Sequence, residues 1–252
     1  MLVFAATGWL ISCDNDDDEK ARLEVLLTDS PGNFEEVNID IQDVQVNRTT
    51  STASGWESID LDDKGVYNLL DLTNGLDTLL GSILLPAGTV RQIRLVLGTL
   101  NTVKVDGQTY DLSTPSAQQS GLKININQTL AEGITYRLVL DFDVARSIVE
   151  RGNNSYLLKP LIRSFVEATS GAVKGNVIPV DANPAIYALD GTDTLGTTLP
   201  DAEGFFMLRG LPAGVYTVSF APVSGYVPKA IEDVGVTAGS ATNLGTVTIE
   251  PE

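Results

Sequence analysis

The chain has 252 residues and a formal charge of −17, with 43% hydrophobic and 19% charged residues, enough to bury one large core or two ordinary ones. An acidic balance of 33 Asp and Glu against 16 Lys and Arg, with no basic cluster, excludes nucleic acid as a partner. With no His and a single Cys, the chain excludes a Ser-His-Asp triad, a Cys-His pair, a His/Cys zinc site and an internal disulfide. No cofactor and no metal site is expected, and carboxylate, Tyr, Lys or Ser-Lys chemistry is all that composition leaves to an enzyme.

Residues 1–12 are uncharged and apolar, and are too short to cross a bilayer, which takes about 20 residues. Cys13 follows, then Asp14, Asn15, Asp16, Asp17, Asp18 and Glu19. Leu10-Ile11-Ser12-Cys13 resembles the bacterial lipobox, and the acidic run resembles the export signal of Bacteroidetes surface lipoproteins. That resemblance implies cleavage before Cys13, acylation of Cys13 as the membrane anchor, and export directed by Asp14, Asp16, Asp17, Asp18 and Glu19. Several acyl chains, at about 0.8 kcal/mol per buried CH₂, hold a protein firmly to a membrane. A signal peptide opens on Lys or Arg, so a basic segment is expected upstream of Met1. Residues 13–21 then form an acidic tether.

From Leu23 the chain alternates as strands do. Val37, Ile39 and Ile41 share a face, the period slips by one near Gln42-Asp43, and Val44 and Val46 carry it on, which predicts a bulge. Asp29-Ser30-Pro31-Gly32 reads as a turn. Further strands are expected at residues 92–97, 102–105, 123–126 and 135–142, with Asp106-Gly107 closing a hairpin. Two segments read as helical: residues 69–80, split by Gly75, and residues 144–150, capped by Asp143, with Arg146 and Glu150 paired.

The pattern restarts near Thr169-Ser170-Gly171. Asp201, Gly204, Phe206 and Leu208, followed by Gly210-Leu211-Pro212-Ala213-Gly214 and Tyr216-Thr217-Val218, place Phe206, Leu208, Tyr216 and Val218 on one alternating face. This motif resembles the carboxypeptidase-regulatory-like (prealbumin-like) β-sandwich over residues 171–252. Residues 22–168 resemble a family of uncharacterised Bacteroidetes domains, DUF4382. The resemblance rests on Leu27-Thr28-Asp29-Ser30-Pro31-Gly32, Leu69-Leu70-Asp71-Leu72, Leu85-Pro86-Ala87-Gly88 and Asp141-Phe142-Asp143, among others. It implies lineage and carries no activity. The expected fold is mainly all-β, two β-sandwich-like domains, the first with one or two short helices. Leu85-Pro86-Ala87-Gly88 and Leu211-Pro212-Ala213-Gly214 are the same device, each ahead of an alternating strand.

Candidate sites follow from residue type. Trp56, after Gly55 in a Thr/Ser-rich loop, and Tyr226, between Gly225 and Pro228, are the candidate ligand contacts, since sugars stack on aromatic faces; each also reads as an aromatic closing a core. Asp141 and Asp143 read as a capping residue (Asp143) and a solvated one (Asp141), or else as a calcium or carboxylate pair. Asp111 and Glu132 are further carboxylates that nothing selects. Lys174 and Asn243 resemble the pair that forms an isopeptide crosslink in some Gram-positive adhesin domains. No catalytic residue is assigned. The expected function is that of a non-catalytic envelope lipoprotein, lipid-anchored at the outer membrane and facing outward, binding a glycan or a protein. One alternative is a structural subunit of an adhesive assembly that exchanges strands between neighbours. A carboxylate-based hydrolase is the second.

Overall fold

The computed structural model describes residues 20–30, 32–114 and 120–252. The anchor candidate Cys13 and the acidic positions Asp14, Asp16, Asp17, Asp18 and Glu19 lie outside the described residues. The first half begins with β1 (Lys20–Ser30), β2 (Glu36–Asn47), β3 (Trp56–Ser58), β4 (Asp60–Leu61) and β5 (Gly65–Asn68). A 3₁₀ turn at Leu69–Leu72 leads to β6 (Thr78–Pro86), β7 (Gly88–Leu97), β8 (Thr102–Val105) and β9 (Gln108–Ser113). Then come β10 (Leu122–Leu130), β11 (Thr135–Asp143), the single helical turn α1 (Val144–Ser147), β12 (Ile148–Arg151), β13 (Ser155–Leu158) and β14 (Ile162–Val166).

These strands build two sheets. One runs β14-β11-β1-β6-β4; the other runs β10-β7-β2-β8-β9-β13-β12, with β3 and β5 also pairing β2. β1 lies at the centre of the first sheet, parallel to β11 and antiparallel to β6. That central place explains why it is buried almost continuously from Val25 to Ser30 and reads as an apolar run more than an alternation. The core between the sheets is built from residues such as Leu23, Leu27, Ile39, Val46, Ile93, Leu140 and Phe142. The expected bulge is present: pairing of β2 with β7 shifts between Ile41 and Asp43. Asp106 and Gly107 both take positive φ (50° and 75°) at the β8–β9 hairpin.

The second half has β15 (Gly171–Ile178), β16 (Ala185–Asp190), β17 (Asp193–Thr198), β18 (Phe205–Leu211), β19 (Gly214–Ala221), β20 (Lys229–Val236) and β21 (Ala241–Thr248). Sheets β18-β15-β21 and β17-β16-β19-β20 enclose a separate core. Phe206, Leu208, Tyr216 and Val218 all point into it, and Phe206 meets Phe220 edge-on with ring centroids 5.6 Å apart. The chain is thus mainly β throughout, as expected.

Both helical expectations need correction. Residues 69–80 supply only the 3₁₀ turn, and Leu79 and Leu80 belong to β6, paired with β1. The helix at residues 144–150 stops after one turn, because Ile148 and Val149, β-branched, enter the β12–β13 hairpin instead. Arg146 consequently pairs with Asp143 and not with Glu150. Asp29 and Ser30 are not turn residues but the buried end of β1.

Candidate functional site

The parallel pairing of β1 with β11 sets Thr28 opposite Asp141, Asp29 opposite Phe142 and Ser30 opposite Asp143. Three aspartates, at positions 29, 141 and 143, therefore meet where the two strands end, all of them buried. Asp143 is the expected cap: its Oδ1 accepts from the Arg146 backbone N–H at 2.9 Å and its Oδ2 from the Arg146 side chain at 2.7 Å. Asp141 is not solvated, contrary to expectation, being 5% exposed. It accepts from the Ser30 hydroxyl at 3.0 Å and from two guanidinium nitrogens of Arg163 on neighbouring β14. Asp29 accepts one bond, from the Val144 N–H at 3.3 Å, and its Oδ2 has no partner. Burial, and after it the Asp141 charge, pushes its carboxyl well above the usual carboxylate range.

This cluster borders the second half. Arg163 also donates to the backbone oxygens of Leu195 and Arg209, across the junction. Arg209, on β18, reaches the other way: it pairs with Asp77 at 2.9 Å and Glu167 at 2.5 Å, and donates to the Gly75 oxygen at 3.2 Å. Arg137 on β11 shares both acids, at 2.6 Å from Glu167 and 3.6 Å from Asp77, closing a ring of four charges. Phe165 sits between the two junction arginines, with ring centroid 5.7 Å from the Arg163 carbon and 6.0 Å from that of Arg209. Thr198 donates to Asn74 across the same boundary, beside a cavity of about 10 Å³, room for one water. Among the described residues no group of three or more Asp, Glu, His or Cys is arranged to hold a metal ion.

The aromatic candidates are placed apart. Trp56, on β3, is half-buried; its indole N–H donates to the Thr52 oxygen at 3.2 Å, and the Arg94 guanidinium lies 4.3 Å over its ring. Tyr226 is half-buried in the second half, bridged to Pro251 and packed on that core. Asp111 and Glu132 are exposed, on β9 and in the loop between β10 and β11. The β15–β21 register does set Lys174 opposite Asn243, but the Asn243 Oδ1 accepts from the Gly245 N–H at 2.9 Å and the side chain is exposed.

Sequence reasoning missed Asp29, Ser30, Arg163 and Arg209 as one constellation. A signal was present in Ile162-Arg163-Ser164-Phe165-Val166 and Met207-Leu208-Arg209, where an arginine stands inside a strand pattern and needs a buried acceptor.

A second feature lies on the side of the first half. Among the described residues β10 pairs with β7 alone and β14 with β11 alone, so each is an edge of its described sheet. Between them is a groove of about 430 Å³, lined by residues 122–125 of β10 and by Pro160, Leu161, Ile162 and Ser164.

No helix among the described residues is long and apolar enough to cross a membrane, which says nothing of strands. No curated protein matches the chain. Among solved structures, the chain is similar to a C-terminal interface mutant of a type II cohesin–X-dockerin complex from Acetivibrio cellulolyticus. That match has 22% identity, 31% of this chain and 56% of that chain covered, and a TM-score of 0.25, so this chain spans little more than half its length. It is also similar to the minor pilin GBS52 of Streptococcus agalactiae, at 11% identity, 91% and 96% coverage and a TM-score of 0.25. The shaft pilin SpaA of Lactobacillus rhamnosus GG gives 10% identity, 92% and 98% coverage and a TM-score of 0.24. Likenesses at such TM-scores decide neither fold nor function. The family model "Domain of unknown function (DUF4382)" matches residues 20–160, more than half of the sequence and nearly all of the first two sheets, and the chain belongs to that family.

Proposed function

We propose that the protein is a non-catalytic, lipid-anchored module of the cell envelope, displayed outward from the outer membrane, that works by binding a protein partner. Cys13 carries the anchor, and Asp14, Asp16, Asp17, Asp18 and Glu19 direct export. Residues 22–168 form the displayed DUF4382 domain, and residues 171–252 a prealbumin-like sandwich behind it. The observation that carries the reading is the fate of the carboxylates at the end of β11. Asp141 is held by Arg163 and Ser30, and Asp143 by Arg146, so both serve as joints between elements. A hydrolase would need such a pair free, with room between them for substrate.

A protein partner is favoured over a glycan by the state of Trp56, whose ring already carries Arg94 at 4.3 Å, where a sugar would stack. Trp56 and Tyr226 stay the aromatic candidates for ligand contact, now at two separate places in the molecule. The test is protease shaving of intact cells, comparing wild type with Cys13→Ala against a periplasmic marker. Loss of the wild-type protein, with the variant released or mislocalised, is the expected result. Full protection of both forms, with no membrane association, would overturn the reading.

A further inference from the structure

Met207 packs into neither hydrophobic core, although Phe206 and Leu208 on either side of it are buried in the second. The pleat of β18 turns Met207, with Arg209, toward the first half. There its sulfur covers Gly75: a Cβ built on that glycine would stand 2.7 Å from Sδ. Gly75 (φ 91°) follows Asn74 (φ 53°) in a tight turn closed by the Leu76 N–H on the Thr73 oxygen at 3.1 Å. The second half holds this turn by the sulfur, by Arg209 on the Gly75 oxygen at 3.2 Å and by the Thr198 hydroxyl on Asn74 Oδ1 at 3.2 Å.

The side chain is nonetheless within reach of small solutes. Met207 is half-buried and lines a groove of about 310 Å³ along the junction, with Phe165, Glu167, Ser170 and Ser240 among its other walls. It also borders the one-water cavity beside Thr198. The chain has one Cys and 2 Met, and Cys13 and Met1 lie outside the described residues. Among the described residues Met207 therefore carries the only sulfur, the side-chain atom that peroxides oxidise.

We propose that Met207 is an oxidation site, at which a hydroperoxide entering the groove makes the sulfoxide and thereby loosens the junction between the two halves. A lone pair of Sδ attacks the terminal peroxide oxygen. The S–O bond forms as the O–O bond breaks, and the proton of the attacked hydroxyl passes to the departing oxygen. The thioether loses two electrons, and the peroxide is reduced to water or an alcohol. The new oxygen is a polar acceptor in a place with no spare donor. Arg209 is committed to Asp77, Glu167 and the Gly75 oxygen, and Arg163 to Asp141 and the oxygens of Leu195 and Arg209. Gly75 leaves no room for a further heavy atom against the sulfur. Either the turn moves off β18 or an arginine leaves its acid. Methionine sulfoxide reductases reverse the step. This inference goes beyond the partner-binding reading and does not depend on it.

The test treats the full chain with millimolar hydrogen peroxide, folded and in urea. The gain of one oxygen is followed by mass spectrometry in the tryptic peptide of residues 175–209. Oxidation of the folded chain at a rate within a hundredfold of that in urea is expected. The oxidised protein should melt at a lower temperature, with at least tenfold less hydrogen-exchange protection at the Leu76 amide. Reductase treatment should restore both. Met207→Leu, which keeps the volume, should show neither loss under peroxide, and Met207→Gln should show both without it. Slower oxidation than that, or full conversion with midpoint and protection unchanged, would overturn the proposal. So would equal losses in wild type and Met207→Leu, which would place the damage elsewhere.

Discussion

Asp29 shares the pleat position of Phe142, so it points to the interior side of the sheet, where only the Val144 N–H meets it. Its second oxygen is buried without a partner, and Asp141 adds a like charge nearby. The folded protein therefore holds this carboxyl protonated over a pH range in which the unfolded chain, with a carboxylate pKa of about 3.9, releases the proton. Stability from this group is full below the unfolded value and is lost as pH rises through the folded one. Asp29→Asn keeps an acceptor for Val144 and removes the titration. The variant should match wild type near pH 4 and exceed it by about 1–2 kcal/mol at pH 8, the scale of one relieved buried polar group. Urea unfolding across pH checks this, and a variant that tracks wild type at both ends would refute it. Asp141 is the opposite case. Asp141→Asn leaves Arg163 half-buried without its counter-charge and should cost about 2 kcal/mol. Combined with Asp29→Asn the double variant should be less stable than the two single effects summed, because the relief that removing the Asp141 charge gives Asp29 is counted in both singles and can be gained only once.

At the scale of elements, Leu-Pro-Ala-Gly does one job twice. β6 and β7, joined through Pro86 and Ala87, lie in different sheets, and so do β18 and β19, joined through Pro212 and Ala213. Proline has no N–H to donate to a ladder, and the turn carries the chain over the top of the core to the opposite sheet. This much was legible, together with the β2 bulge, the Asp106-Gly107 hairpin and the inward set Phe206, Leu208, Tyr216 and Val218, because each rests on neighbours in sequence. The two helices were misread for the same reason. Leucine-rich spacing and a single i,i+4 pair are local signals, and they lost to the pairing of Leu79 with Leu26 and of Ile148 with Leu158. The aspartate cluster was illegible because it depends on a parallel register between strands more than a hundred residues apart, which no local pattern encodes. Gly210 shows the same division. Its place in the motif was evident, but not the ring of Phe165, whose Cδ1 lies 2.2 Å from where a Cβ would stand. With φ at +69° as well, Gly210→Ala should destabilise by about 2–3 kcal/mol in urea titration. Adding Phe165→Ala should recover the steric part and leave the backbone strain.

At the scale of the whole molecule, the two hydrophobic cores have no residue in common, so coupling between them falls to the junction. There Phe165 packs on Gly210 and Met207 on Gly75, Arg163 reaches from the first half to backbone oxygens of the second, and Arg209 reaches back to Asp77, Glu167 and the Gly75 oxygen. β14 links this junction to the groove beside β10, since Arg163 and Phe165 alternate along it with Ile162 and Ser164. Arg209→Ala removes three contacts at once and leaves Asp77 and Glu167 sharing only Arg137, whose side chain is 46% exposed. Breaking a buried pair typically costs 3–5 kcal/mol, and the partial exposure of these acids, 18% and 27%, brings the expected loss to about 2–3 kcal/mol. Calorimetry should then resolve two transitions where wild type gives one, with the second-half transition unmoved by Gly107→Ala in the first. Salt separates this coupling from surface electrostatics. The deficit should persist at 0.5 M NaCl, about a 4 Å screening length, because the Arg209 side chain is only 14% exposed. A Lys104→Ala variant, breaking the exposed pair with Glu36, should lose what little effect it has under the same conditions. If Arg209→Ala keeps a single transition at both salt concentrations, the halves are coupled by contacts other than the arginine pair.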